Sequence, residues 1–579
     1  MSVSSDRSPF RPAAALLLAA LLASCGGSIR RFPLAEPMWV DEEDFRAFEP
    51  MPEEYFSPFA WDGADQMLFR PMARFFAVDP AGEAVNVNAM DEVPDSSWYV
   101  NRASRRVLPM EEVLDGPCTE APLDPAGPWT ITSAKPNGAN PGFIMEDAEG
   151  RKFLLKFDSL SQPERATAAD VMGSRLYHAA GFYTACNRVV FFDREILRID
   201  EGATVEKDGE EVPMTWEVLA PIWERASRHP DGRLRAASSA FLPGRPLGPW
   251  RYEGTRDDDP NDVIPHQERR ELRGGYVLAS WINHFDTREQ NTLAMWIAGD
   301  DGRGHVRHNY IDFGDSFGSQ WSWDGISRRL GHASYFDLRY LLIDFVTFGA
   351  IPRPWNEARL GPTGEVLGYF DVFRFEPDGW RPGYPNPAFL RASERDNAWM
   401  ARIIANITPE QVEAIVDEAA VNADVTRAEL KRILVGRRER ILKRWLRGLS
   451  PLTWPRLETR GEDARLCMRD LAIATEIWDW SDRPYWARAW RHVGGSALEE
   501  VEVGALARRP PAHVCVGLPS AEEATPDEPA YWIVDLAGQY GAEDDSPPAR
   551  VHLYQLGPGH YRVVGLERPD DLDPPGPRD

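Results

Sequence analysis

Residues 280–296, SWINHFDTREQNTLAMW, set the tightest limit on what this chain can fold into. An apolar helix end, Trp281 and Ile282, gives way to His284, Asp286, Arg288 and Asn291, and a second apolar run follows at once. Burying such groups without partners costs roughly 2–7 kcal/mol each. The fold must therefore supply water or partners at this point, and the segment reads as a solvated turn or as a site.

The runs upstream predict a three-stranded antiparallel meander. WTITSAK, FIMEDAEG and RKFLLKFDS are alternating or apolar, the first two joined by the turn-rich PNGANPG (136–142) and the third following Glu-Gly. Lys156 sits inside the apolar FLLKF. A helix is predicted over 162–182, with Ala168, Val171, Met172, Leu176 and Ala179 at helical spacing and Gly181 as its stop. NRVVFF (187–192) reads as a strand, ERRELRGGYVLASWINHF as a helix leading into the polar cluster, and TLAMWIA and HVRHNYIDFGDSFG as two strands around GDDGRG. Helices dominate to about residue 450, with Thr408 and Thr426 as N-caps. Beyond Pro451 short strands take over, ending in a hairpin at 548–569.

The N-terminus has the order of a secretory signal: Arg7 and Arg11, the apolar run 13–24, then Cys25. The run is too short to span a bilayer. LASC (22–25) resembles the bacterial lipobox, which implies cleavage after residue 24 and acylation of Cys25. An ordinary cleaved signal with an incidental cysteine is the alternative. Gly26 and Gly27 carry no aspartate retention signal, so the resemblance implies the bacterial cell envelope, at the outer membrane facing periplasm or exterior, with lipid as the sole membrane tether. The Pro- and Glu-rich residues 25–60 read as a tether, and 61–128 as an N-terminal extension in which 86–102 reads as an exposed loop. Four cysteines remain, and Cys467 with Cys515 is the favoured pair; no zinc spacing accompanies them. With 91 acidic and 65 basic residues the net charge of −26 repels phosphate backbones, which excludes nucleic acid as a partner.

The order of strand, Gly-containing loop, strand, lysine strand, helix, polar cluster, strand pair and Asp-Phe-Gly resembles the protein-kinase-like superfold, in its atypical and lipid-kinase-like branch. His284-Phe285-Asp286 stands at the family's catalytic loop, with Asn291 five residues after Asp286, and Asp312-Phe313-Gly314 matches its metal-chelating motif. Lys156 matches the nucleotide-gripping lysine, and Asp170 or Glu164 on the next helix would pair with it, Asp170 being favoured. The resemblance implies an α+β fold: a two-lobed protein-kinase-like domain over 129–454, with an antiparallel-sheet N-lobe and a helical C-lobe, then a β-rich, sandwich-like domain over 455–579.

Phosphoryl transfer requires positioning and neutralisation of charge. Asp286 would then act as base, Arg288 as a cation for the transferring phosphate, Asn291 and Asp312 as ligands of Mg²⁺ or Mn²⁺, and Lys156, Asp170 and the backbone at Gly138 and Gly142 as the binding site for ATP. The sequence departs from the family in its Gly loop and lacks Ala-Pro-Glu after Asp-Phe-Gly. The implied activity is an envelope-anchored phosphotransferase acting on a protein or small-molecule acceptor. A non-catalytic kinase-like scaffold and a metal-assisted hydrolase built on Asp286, Asn291 and Asp312 are the alternatives. Other readings attach to single features: Lys156 snorkelling from an edge strand, His284 as a core histidine, Asp312 to Asp315 as a plain turn. DDDPND (257–262) reads as a solvated turn, and Arg269, Arg270 and Arg273 as clamps for an acidic acceptor.

Overall fold

The computed structural model describes residues 29–56, 58–76, 82–135, 141–158, 161–207, 210–540 and 546–576. The chain forms a mixed α+β structure. Strands β1 (Trp129–Ala134), β2 (Gly142–Glu146) and β3 (Lys152–Lys156) make the expected antiparallel meander, in register Phe143 with Leu155 and Gly142 with Lys156. The meander sits within a six-stranded sheet whose further strands are β4 (Asn187–Phe192), β5 (Leu197–Ile199) and β6 (Leu234–Ala240), in the order β4-β6-β3-β2-β1-β5. Alternation places Ile131, Phe143, Met145, Phe153 and Leu155 in one core with Trp129 and Trp223.

Helix α1 (Arg165–Ala180) follows β3 and ends at Gly181, whose φ of 123° no side-chain-bearing residue adopts without strain. Its apolar positions enter a second and larger core, shared with α2 (Arg270–Ile282) and with α3 (Glu394–Ala405), α4 (Pro409–Glu418) and α5 (Asp424–Gly448). Asn283 closes α2 in the left-handed conformation, so the chain turns sharply into His284-Phe285-Asp286. The strands Thr292–Ala298 and Gly304–Tyr310 then pair antiparallel and deliver Asp312 two residues past their end. Thr408 caps α4 in a capping box, whereas α5 begins at Asp424, two residues before Thr426, so that threonine lies inside the helix.

From Leu452 onward two antiparallel sheets of four and five strands contribute side chains to one core, including Leu466, Val514, Val534 and Val551. Cys467 and Cys515 face each other on paired strands of the four-stranded sheet and are disulfide-bonded, as are Cys118 and Cys186. Among the described residues no helix is long and apolar enough to cross a membrane.

Two expectations fail upstream. Residues 29–56 do not hang free as a tether: Ile29 and Phe32 are buried against Tyr531 and Tyr554 of the C-terminal sheets, and Phe48 bridges to Gly304. The Pro and Glu content hid a few apolar anchors that outweigh it. Residues 86–102 are not an exposed loop either, for Val93, Trp98 and Tyr99 are fully buried. Their polar neighbours are consumed internally: Ser97 N donates to Asp44, Asn101 N to Asp95, and Trp98 stacks on His308 at 3.4 Å.

Candidate active site

Lys156 ends β3 and is buried, with its ammonium against a carboxylate of α1. Nζ lies 3.1 Å from Asp170 Oδ2 and 3.1 Å from Asp312 Oδ1. The second oxygen of Asp170 accepts from Phe313 N at 2.9 Å, so one carboxylate on α1 fixes both the lysine and the Asp-Phe-Gly backbone. Glu164 takes no part; it sits at φ 66° ahead of α1 and accepts from Asn422 N. Asp312 itself has φ 56°, a conformation that costs about 1 kcal/mol or more for a non-glycine residue and persists only where neighbours impose it. Arg165 is one such neighbour, donating to the carbonyls of Gly314 at 2.5 Å and Ser316 at 3.0 Å. Gly173 is another: a Cβ there would stand 2.5 Å from the Phe313 ring, so a glycine inside α1 is what lets Phe313 seat.

Asp286, Arg288 and Asn291 gather in the loop after α2. Asn291 Nδ2 donates to Asp286 O at 2.7 Å and to Asp286 Oδ2 at 2.8 Å, and Arg288 Nε lies 3.6 Å from Asp286 Oδ1. His284 is buried, with Nδ1 3.0 Å from the Tyr177 hydroxyl and its ring beside Phe313. Burial pulls its pKa down to about 4 against the opposing pull of Asp312, so it is neutral at pH 7 and behaves as a core histidine.

The electrostatics divide the carboxylates. Burial opposes ionisation of Asp312, yet Lys156 and Lys135 hold it well below the usual carboxylate range. Burial and then the charge of Asp315 push Asp286 up to about 7, against Arg288 and the Asn291 hydrogen bond. Burial alone would discharge Lys156, but Asp170 and Asp312 raise it above the ordinary lysine value. One cluster thus holds a carboxylate fixed as an anion and another poised near neutrality.

Sequence reasoning missed two members. Lys135, the last residue of WTITSAK, reaches to 4.0 Å from Asp312 Oδ2. Gly142 makes this possible, since a Cβ there would meet Leu155 O at 2.6 Å and the Lys135 stem at 3.3 Å. Asp315 was visible only as a turn residue, and its field on Asp286 depends on tertiary placement. A further contact comes from the N-terminal extension, where Arg70 pairs with Glu289 of the loop after α2 at 2.5 Å. Gly138 and Cys25 lie outside the described residues.

The donor chemistry fits a hard divalent cation. Asp312 keeps 36% of its side chain exposed, and Asn291 spends its amide protons on Asp286, which leaves Oδ1 as its lone-pair donor. Mg²⁺ and its kin characteristically take one or two protein carboxylates and complete the shell with phosphate oxygens and water. Among the described residues the one set of three His, Cys, Asp or Glu donors closing within 4.8 Å is Glu458 with Cys467 and Cys515, whose sulfurs are committed to each other.

Arg269, Arg270 and Arg273 are not acceptor clamps. Arg270 pairs with Asp91 at 2.5 Å and Asp396 at 3.3 Å, Arg273 with Glu268, and Arg269 lies over the Trp98 ring, all three buried. The acidic loop 257–262 is likewise internal in part: Asp262 Oδ2 lies 2.6 Å from His266 Nε2 and accepts from Arg256 N.

No protein family matches this chain, and neither does any curated protein. Among solved structures, the Helicobacter pylori proinflammatory kinase CtkA is 11% identical with a TM-score of 0.28, over 55% of this chain and 97% of that one. The Golgi casein kinase is 10% identical with a TM-score of 0.27, over 60% and 80%, and its structure with Mn/ADP bound is 11% identical at 0.23, over 77% and 96%. Likenesses this slight carry no argument; the side-chain geometry does.

Proposed function

We propose that the chain is a kinase-like phosphotransferase, two-lobed around the Lys156 cleft, that uses ATP with a divalent cation on a hydroxyl-bearing acceptor. The observation that carries this reading is Lys156 Nζ held 3.1 Å from both Asp170 and Asp312, with Asp286 and Asn291 bonded to each other on the loop that precedes the Asp312 strand pair. Lys156 and Lys135 give the cleft two cations for phosphate oxygens, and Arg288 adds a guanidinium beside Asp286. Asp312 and Asn291 would hold the cation, which when bound neutralises phosphate charge. Asp286, with a pKa of about 7, accepts the proton of an acceptor hydroxyl at neutral pH without being so weak a base that the transfer stalls. Phe313 and His284 seal the floor and exclude water beneath it.

The lipobox-like LASC and the two disulfides support placement in the bacterial envelope with Cys25 acylated, because disulfides persist in oxidising compartments. Labelled palmitate incorporated by the wild type and lost on Cys25→Ala tests that placement. ADP release from ATP tests the chemistry: it should require Mg²⁺ or Mn²⁺, stop with EDTA and collapse in Asp286→Asn. Release indifferent to both treatments refutes the reading.

A further inference from the structure

A polar cavity of about 350 Å³ is lined in part by Asn283, where α2 ends. Five arginines line it, Arg328, Arg339, Arg374, Arg381 and Arg437, against three carboxylates, Asp337, Asp371 and Glu376. In a chain of net charge −26 a local excess of cations runs against the average and asks for a cause.

The carboxylates do not neutralise it. Asp337 Oδ1 caps Tyr340 N, Asp371 Oδ1 accepts from Arg374 N at 2.9 Å, and Glu376 pairs outward with Arg440 at 3.7 Å. Arg328 is paired with Asp324, and Arg381 donates to the carbonyls of Asp378 and Trp380. Arg437, Arg374 and Arg339 have no carboxylate within 4.0 Å among the described residues.

Arg437 is the telling member. It is 5% exposed, its guanidinium lies 3.8 Å from the Phe375 ring centroid and 4.5 Å from that of Phe370, and it donates to the carbonyls of Ser280 and Asp371. Its Nε has no partner. Burial brings its pKa down to about 9, with Asp371 as the opposing charge. His332 lines the same space; burial and then the charge of Arg437 lower its pKa against Asp371, with Arg374 adding to the shift, so it stays neutral beside the two guanidinium groups. A buried guanidinium without an anion is costly, and planar guanidinium groups match phosphate oxygens in pairs.

We propose that this cavity binds a small phosphate monoester, with Arg437 at its base and Arg374 and Arg339 closing over the phosphate oxygens. Its volume suits a phosphorylated metabolite or a phosphoamino acid and lies at the small end of ligand pockets. The site is separate from the Lys156 cleft and does not depend on the reading given to that cleft.

Calorimetric titration of the full chain with inorganic phosphate and with O-phosphoserine, at constant ionic strength and with serine as the control, tests it. The wild type should bind both phosphates saturably and serine not at all. Arg339→Ser, an exposed change that leaves the fold alone, should weaken binding at least threefold. Arg339→Ser with Arg374→Ser should weaken it tenfold or more, and Arg374→Lys should restore part of the loss. Absence of saturable phosphate binding overturns the proposal, and so does binding that survives the double substitution.

Discussion

Two buried charge clusters lie at opposite ends of the α2 segment, and their difference separates structure from chemistry. At its start Asp91 receives Arg270 at 2.5 Å, Arg402 at 2.8 Å and Arg568 at 3.0 Å, which ties the N-terminal extension, α3 and the C-terminal sheets to one carboxylate. Although burial opposes ionisation, those arginines hold Asp91 down at about 2. At the other end Asp286 is as deeply set yet stands at about 7, because Asp315 adds to its burial and Arg288 does not cancel them. The first cluster has cations to spare for its carboxylate; the second is short of positive charge. The first sets three arginines on one carboxylate and the second sets one arginine beside two carboxylates, so it is the deficit of counter-charge that marks the site.

Asp286→Asn should sharpen this contrast most. It keeps the Asn291 geometry but removes the proposed base, so the proposed phosphotransfer should fall on the order of 10²–10⁴-fold. Because a desolvated charge also disappears, the melting temperature at pH 7.5 should hold or rise; a fall with activity retained would assign Asp286 to the structural class. Asp91→Ala should do the reverse. It leaves three arginines facing a buried gap, and urea denaturation should show a loss of about 3–5 kcal/mol. Since Asp91 is depressed in the folded state, its contribution is full above about pH 4 and fades as pH falls towards 2, so the wild type and this variant should converge in acid.

The poised carboxylate also sets a pH limb. Activity should rise with pH through about 7 as Asp286 loses its proton, and Asp315→Asn should move that limb to lower pH, because the charge that raises Asp286 is gone. A limb that stays in place would show that another group controls it. The smallest effect belongs to Glu92, raised to about 6 chiefly by burial while accepting from Trp399 Nε1 at 2.7 Å. Its folded pKa exceeds its unfolded one, so its ionisation lowers stability as pH rises from about 4.5 to 6. Glu92→Gln should therefore stabilise by about 2 kcal/mol above pH 6 and change little below pH 4.

Much of the site was legible because its signals are local or ordered along the chain. Lys156 in an apolar strand and Asp286 five residues before Asn291 were picked out by the resemblance to the protein-kinase-like superfold, and Asp170 by its place on the inward side of the next helix. Lys135 was not legible: it reads as a strand-end lysine until Gly142 is seen to clear its path to Asp312. The arginines of α2 misled for the complementary reason. RR-x-x-R at a helix start looks like a surface clamp, and its buried partners Asp91 and Asp396 are 179 and 126 residues away from Arg270. Residues 86–102 look like a loop by composition, but Trp98 and Tyr99 carry the burial and the polar residues satisfy one another. Pairings that long leave no trace in a single sequence.

Thermal denaturation with ATP, with and without a divalent cation, tests the central claim most directly. With ligand at about a hundred times its dissociation constant, ATP with Mg²⁺ or Mn²⁺ should stabilise the wild type by about 2.7 kcal/mol. ATP with EDTA should do far less, and Asp312→Asn should show no cation-dependent gain. A shift of equal size in Asp312→Asn, or none in the wild type, would contradict a nucleotide cleft built around Lys156 and Asp312.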